Sequence, residues 1–335
     1  YGLTLTRDAE GMDIDATASY TYVPERGIVA FGTAPRSSDE DLQIAGKTLR
    51  DMDRDDYSDL ATGQQGRAPL RRALAFQYLL EHKAIHIGAD ELIVGEKGPA
   101  PKATPTYPEL CCHSLQDLDI LDGREKIPFA VNAETREVYR EELMPFWQGR
   151  TMRELLFAEM TGEWKAAYEA GVFTEFMEQR APGHTVLDDK IYRKGMRDFQ
   201  QDIERSLSQL DYLHDPLAYA KEQELQAMHI CAEALIRFAE RHAGQARELA
   251  QHEIDPARRQ ELERIAGICS HVPAHAPRTF WEALQYYWFV HLGVTTELNT
   301  WDAFCPGHLD QHLHPFYQRE LAAGTLTREQ AEELL

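Results

Sequence analysis

Long apolar runs, basic residues and cysteines are all scarce in this chain of 335 residues. No apolar stretch approaches the roughly 20 residues of a membrane span. The best, Trp288-Phe289-Val290-His291-Leu292-Gly293-Val294, is short and carries a histidine. Lys and Arg total 35 against 56 Asp and Glu, a formal charge of −21. A surface of that sign repels phosphate backbones and anionic headgroups, so neither nucleic acid nor a membrane is an expected partner. Five cysteines are an odd number without disulfide-rich density, and no signal-peptide pattern opens the chain. Reduced thiols and a cytoplasmic location are expected. Also missing are a Gly-rich phosphate loop, a Gly-x-Ser-x-Gly elbow, a Cys-x-x-Cys pair, internal repeats and low-complexity segments. Those absences argue against nucleotide, serine-hydrolase and thioredoxin-like chemistry.

What remains is an ordinary core-forming composition, 43% apolar and 27% charged. Length alone suggests about two domains. The chain opens on Tyr1 and stops about two turns into a helix that Thr327 and Gln330 would cap, so it reads as a piece of a longer protein. Residues 1–66 are weakly patterned. Tyr20 to Pro24 and Gly27 to Gly32 suggest short strands, 39–52 a helix, and 51–66 a polar linker. From Ala68 the period becomes helical, with Leu70, Leu74 and Tyr78 four apart and Phe76 and Leu80 likewise. Glu91-Leu92-Ile93-Val94-Gly95-Glu96 is a short strand candidate. Four prolines between Gly98 and Pro108 predict an irregular crossing. Helical patterns follow over 151–170, 191–213, 216–251, 256–269 and 279–292, with Gly171 as a terminator.

Chemistry-capable residues gather where the helical pattern breaks, the usual place for function on a rigid scaffold. Cys111-Cys112-His113 offers adjacent thiols that cannot chelate in the two-spaced geometry. They read more simply as small buried hydrophobes than as a nucleophile beside a histidine. Phe173 to Thr185 mixes aromatics, carboxylates, Arg180 and His184 around a Pro-Gly turn, which suits a small polar ligand as well as a capped surface turn. Thr295 to Phe304 follows the most aromatic helix of the chain, so Asp302 would begin near the interior. There it is either a candidate acid, base or hydroxyl-binding group, or a turn cap. His308 and His312 have the i, i+4 spacing of helical zinc pairs, but Leu309 stands where such motifs place Glu. A solvated or interface helix is the plainer account.

These segments resemble the glycyl radical enzymes of the pyruvate formate-lyase superfamily. The residues that carry the resemblance run Asp90 to Gly98, Pro105 to His113 and Glu169 to Thr185. They continue through Tyr287 to His291, Thr295 to Asn299, Trp301 to Phe304 and Leu309 to Leu313. Within the superfamily the motifs are most similar to the branch that dehydrates trans-4-hydroxy-L-proline. The resemblance implies an α/β fold, with residues 67–335 as the helix-rich N-terminal portion of a ten-stranded α/β barrel and 1–66 as an unmatched leader. It implies a glycyl radical installed by a separate radical S-adenosylmethionine activase, no bound cofactor or metal, and a homodimer. It implies that a cysteine thiyl takes hydrogen from the carbon beside the ring nitrogen, and that the 4-hydroxyl leaves as water to give 1-pyrroline-5-carboxylate. Phe176, His184 and Asp302 match the family's substrate pocket. Phe176 would line the ring, while His184 and Asp302 would hold the hydroxyl and assist its departure. The radical glycine and thiyl cysteine would lie beyond Leu335. None of Cys111, Cys112, Cys231, Cys269 or Cys305 matches the latter, so this stretch alone is expected to be inactive. The competing expectations are another glycyl radical lyase (a diol dehydratase or formate acetyltransferase-like enzyme), a metal-dependent hydrolase using His308, Asp310 and His312, and a non-catalytic helical scaffold.

Overall fold

The structure, a computed structural model, describes residues 12, 13, 15, 18–23, 27–30, 44, 45, 68–98, 100–103, 106–172, 188–297 and 305–335. Three strands form an antiparallel sheet in the order β2-β1-β3. They are β1 (Ser19–Val23), β2 (Gly27–Ala30) and β3 (Ile44–Ala45). In β1 and β2, Tyr20 faces Ala30 and Val23 faces Gly27. Ile44 and Ala45 pair with Tyr20 and Ser19, so a strand occupies part of the predicted 39–52 helix.

Helices follow: α1 (Ala68–His82), α2 (Leu115–Gly123), α3 (Ala133–Val138), a π-helical turn over Tyr139–Leu143, and α4 (Met144–Trp147). Next come α5 (Met152–Glu159), α6 (Gly162–Glu169), a 3-10 turn over Asp188–Tyr192, and α7 (Met196–Ser208). The last are α8 (Ala218–His252), α9 (Pro256–His271), α10 (Phe280–Glu297), α11 (Leu309–Ala323) and α12 (Arg328–Leu334). Side-chain caps set many of the starts. Ser114 with Asp117, Thr151 with Glu154, and Thr327 with Gln330 form reciprocal capping boxes that satisfy backbone donors at both cap and third positions. Thr161 caps α6, which divides the predicted 151–170 helix into α5 and α6. The predicted 191–213 helix likewise starts late, at Met196. Gly171, at φ +71°, closes the turn after α6.

The chain divides into two compact units, 1–75 with 206–231 and 76–205 with 232–335. In the first, the described residues hold the three-stranded sheet and a turn in which Asp211 accepts from the amides of Leu213 and His214. The second carries the larger core. Phe76 and Leu80 of α1 are buried, whereas Tyr78 is exposed, so of the two α1 spacings Phe76–Leu80 marks the inner face. Leu235, Ile236, Phe238, Ile265, Tyr286, Phe289 and Leu292 join them. At Gly293 an added Cβ would stand 2.8 Å from Leu235 Cδ2 and 3.3 Å from Phe76 Cζ, so side chains of α8 and α1 close over this glycine.

Residues 91–96, the short strand candidate, are not a strand, and the chain bends at Leu92 and Ile93. Their backbone groups are satisfied by helix side chains instead of a ladder. Trp281 Nε1 donates to the Leu92 carbonyl (3.1 Å) and Trp288 Nε1 to that of Gly95 (2.7 Å). Gln285 closes both sides of Val94, accepting from its amide at 2.8 Å and donating to its carbonyl at 2.7 Å. These three residues lie at i, i+4 and i+7 of α10, one face of the helix. Arg258 holds the carbonyls of Gly88 and Glu91, and Lys83 those of Glu96 and Lys97. Gly95 sits at φ +125°, and a Cβ there would meet Leu292 Cδ1 at 2.7 Å, so only glycine lets the segment lie against α10.

His242 is buried in this core, donating from Nδ1 to the Phe238 carbonyl at 2.8 Å with Phe238 and Phe289 against its ring. Burial, aided by the Lys83 and Arg241 charges, pushes its pKa from 6.5 down to about 4. The native state therefore resists protonation that the unfolded chain accepts, and stability falls as pH drops from 6.5 to 4. The expected loss is about 2–3 kcal/mol. Denaturant unfolding of wild type and His242→Leu at pH 7 and pH 4 would check it. The variant should lose less on acidification; equal losses would contradict the assignment.

Candidate active-site region

The three residues matched to a substrate pocket lie outside the described residues: Phe176 and His184 within 173–187, Asp302 within 298–304. The described residues at the edges of both segments can be placed.

Helix α10 leads to the second segment. Most of its aromatic run is buried as expected, with Gln285, Tyr286 and Phe289 fully enclosed, while Tyr287 and Trp288 are half-buried. The helix runs to Glu297, beyond the predicted end at Leu292. Thr295 and Thr296 are therefore helical, not part of an irregular segment. Their hydroxyls bond back to carbonyls of His291 (2.9 Å) and Leu292 (2.7 Å), which spends them inside the helix. At the start of α10, the buried Glu320 of α11 accepts the Phe280 amide at 2.5 Å. A carboxylate at a helix N-terminus complements its dipole and fixes α11 against α10.

The downstream edge of the first segment lies beside α11. Asp188, which follows 173–187, places Oδ1 3.2 Å from His312 Nε2 on α11. The His312 ring stacks on Tyr192 at 5.2 Å and 22°. The Tyr192 hydroxyl is buried and has no hydrogen-bond partner among the described residues. Burial raises its pKa, and the nearby Tyr287 and Asp188 add to the effect. Tyr287 in turn pairs its hydroxyl with His291 Nδ1 at 3.0 Å. Burial raises the Tyr287 phenol, and so does Cys305, which follows 298–304. His291 is stacked on Trp288 at 5.2 Å and 10°, and burial lowers its pKa. Burial thus favours the neutral form of His291. Sequence reasoning named Tyr287, Trp288 and His291 for their apolar, aromatic run and for the resemblance, not as partners of one another. It missed Asp188 and Tyr192, because their partners are far along the chain and leave no local pattern.

The remaining predicted constellations separate. Cys111, Cys112 and His113 line a cleft of about 820 Å³ together with Lys97, Asp117 and Arg153. The thiols are half-buried rather than core residues. Burial raises the Cys112 thiol, away from the thiolate that a nucleophile needs. His308 is the N-cap position of α11 and His312 turns to Asp188 and Tyr192. Among the described residues no three His, Cys, Asp or Glu side chains converge on a point that could hold a metal. The hydrolase alternative thus lacks a ligand set there. No helix is long and apolar enough to cross a membrane among the described residues.

The chain belongs to the pyruvate formate lyase-like family, which matches residues 47–335. Among individual relatives, it is 52% identical over 267 residues to trans-4-hydroxy-L-proline dehydratase of Clostridioides difficile, covering 80% of this chain and 34% of that one. A crystal structure of hydroxyproline dehydratase from the same organism, with trans-4-hydroxy-L-proline bound, superposes with a TM-score of 0.76 at 50% identity, covering 83% of this chain and 35% of that one. A structure concerned with 1,2-propanediol dehydration in Roseburia inulinivorans gives 0.73 at 30% identity, covering 83% and 33%. The chain spans about a third of the length of the relatives it matches.

Proposed function

We propose that the whole protein is a glycyl radical dehydratase that removes water from trans-4-hydroxy-L-proline to give 1-pyrroline-5-carboxylate. The observation that carries this reading is the 52% identity over 267 residues to a dehydratase of that substrate. The buried aromatic helix α10, with Gln285, Tyr286 and Phe289 fully enclosed, supports it as a wall that excludes water. In this reading the described helices wrap part of a ten-stranded barrel. The radical chemistry comes from residues beyond Leu335, after activation by a separate radical S-adenosylmethionine enzyme. The protein is a cytoplasmic homodimer.

This chain's residues handle the hydroxyl. Hydroxide is a poor leaving group, and its loss needs a proton or strong hydrogen-bond donors. His184 supplies the proton near neutral pH. Asp302 orients the hydroxyl, and Phe176 walls the ring. An enclosed, apolar surround such as α10 protects a radical intermediate from water. Anaerobic activation of the full-length protein, followed by mass spectrometry of the product, tests the proposal. Loss of one water from hydroxyproline is expected; unchanged hydroxyproline in the presence of a confirmed glycyl radical signal would overturn it.

A further inference from the structure

We infer that the cleft of about 820 Å³ beside Cys111 and Cys112 is a binding site for a small organic carboxylate, separate from the pocket of the proposed substrate. The inference does not rest on that substrate. The cleft has the size of small-ligand sites, about 300–1,000 Å³. Leu121 and Phe129 give it apolar wall. Its charge runs against that of the chain, which is formally −21. Lys97, Arg124 and Arg153 line it, against Asp117 and Glu154. Both carboxylates are already spent on the starts of α2 and α5. Asp117 accepts from the Ser114 amide and hydroxyl, each at 2.8 Å. Glu154 accepts from the amides of Gly149 (3.0 Å) and Thr151 (3.2 Å) and from the Thr151 hydroxyl (2.8 Å). These bonds hold both carboxyls below the ordinary carboxylate range. The cations, by contrast, are seated on neutral groups. Arg124 donates Nε to the Ile127 carbonyl at 2.8 Å and lies over the Phe129 ring at 5.1 Å, with no carboxylate against it among the described residues. Its two terminal nitrogens are left over, part of the planar fork that matches a carboxylate. Arg153 donates Nη2 to the Tyr168 hydroxyl at 2.9 Å. Burial lowers the pKa of Lys97, so an anion beside it would restore its charge.

A second, independent observation points to a ligand. Tyr139 is 1% exposed and opens the π-helical turn, an irregularity frequent at functional sites. Its hydroxyl is buried without a hydrogen-bond partner. The polar groups around it belong to Thr106, Cys112 and His113, which all line the cleft. Burial keeps the Cys112 thiol protonated, so no thiolate competes there. A buried hydroxyl left unpaired is costly, and a carboxylate oxygen would satisfy it.

Saturation-transfer NMR on the full-length, unactivated protein, with benzoate as the probe, tests the site. Benzoate should bind with a dissociation constant of about 1 mM, the range open to a ligand of so few atoms. Benzamide, its uncharged analogue, should bind at least about ten-fold more weakly. Arg124→Gln, at an exposed residue, should weaken benzoate about ten-fold, and Tyr139→Phe, which keeps the ring, about five-fold. Arg140→Gln removes an exposed charge that does not line the cleft and should change nothing. Excess trans-4-hydroxy-L-proline should not displace benzoate. No binding, equal binding of benzamide, unchanged affinity in Arg124→Gln or Tyr139→Phe, or displacement by hydroxyproline would overturn the inference. If benzoate behaves as stated but the activated enzyme leaves hydroxyproline unconsumed, the carboxylate site stands and the substrate reading fails.

Discussion

Full-length, activated protein carrying His184→Ala should dehydrate trans-4-hydroxy-L-proline roughly 10²–10⁴-fold more slowly than wild type. The size follows from the chemistry proposed for that residue. A departing hydroxyl must be protonated as its C–O bond breaks, and a positioned acid is worth that factor. The interaction exists mainly in the transition state, so the loss should appear in kcat and equally in kcat/KM, with KM little changed. Asp302→Ala should behave similarly, because a carboxylate that orients the hydroxyl also fixes where the proton is delivered. The two losses should be far from additive, since both act on one leaving group. Phe176→Ala should instead raise KM, as befits a wall. Full turnover in His184→Ala would show that the hydroxyl departs without it.

The largest effect on stability is expected at Gln285. Its amide completes both hydrogen bonds of Val94 at 2.8 and 2.7 Å, and both residues are fully buried. Gln285→Leu fills nearly the same volume but leaves a buried amide and a buried carbonyl unpaired. Each orphan costs about 1–3 kcal/mol, so a loss of about 2–6 kcal/mol is expected. Trp281→Phe, which removes one donor to the Leu92 carbonyl, should cost about 1–2 kcal/mol. Equilibrium denaturation of the two variants would measure the difference. Stability within about 0.5 kcal/mol of wild type for Gln285→Leu would show that the segment around Val94 does not depend on these bonds, since surface-like changes fall in that range.

The same residues show why part of the fold was legible and part was not. Capping boxes announce themselves in a few adjacent letters. The start of α12 at Thr327 could therefore be read directly, as could the buried aromatic face of α10. Thr161 carries an equally local signal, but the periodicity running across it suggested one helix over 151–170. The stretch at Glu91–Glu96 has a strand's apolar content. Whether its backbone pairs with a strand or with the side chains of a distant helix depends on Trp281, Gln285 and Trp288, nearly 200 residues away. Nothing local distinguishes the two. Thr295 and Thr296 misled in the opposite direction. Polar β-branched residues suggest an end to a helix, yet their hydroxyls can bond back to its carbonyls. The proposed pocket residues Phe176, His184 and Asp302 come from long motifs shared with a family, not from spacing. Asp188 and Tyr192 carry no motif; they matter through His312 and Tyr287, which only the tertiary structure brings near.

The central claim concerns which hydroxyl-bearing molecule the whole protein accepts. It is tested most directly by offering the activated full-length enzyme trans-4-hydroxy-L-proline, glycerol and 1,2-propanediol separately under anaerobic conditions and comparing kcat/KM. A cyclic amino acid and a linear diol would present their hydroxyls differently to the proposed pair His184 and Asp302. The account predicts conversion of hydroxyproline to 1-pyrroline-5-carboxylate, with kcat/KM for either diol at least about 10³-fold lower, the range that buried polar groups left unpaired by a wrong substrate enforce. Efficient dehydration of a diol with hydroxyproline untouched would contradict it.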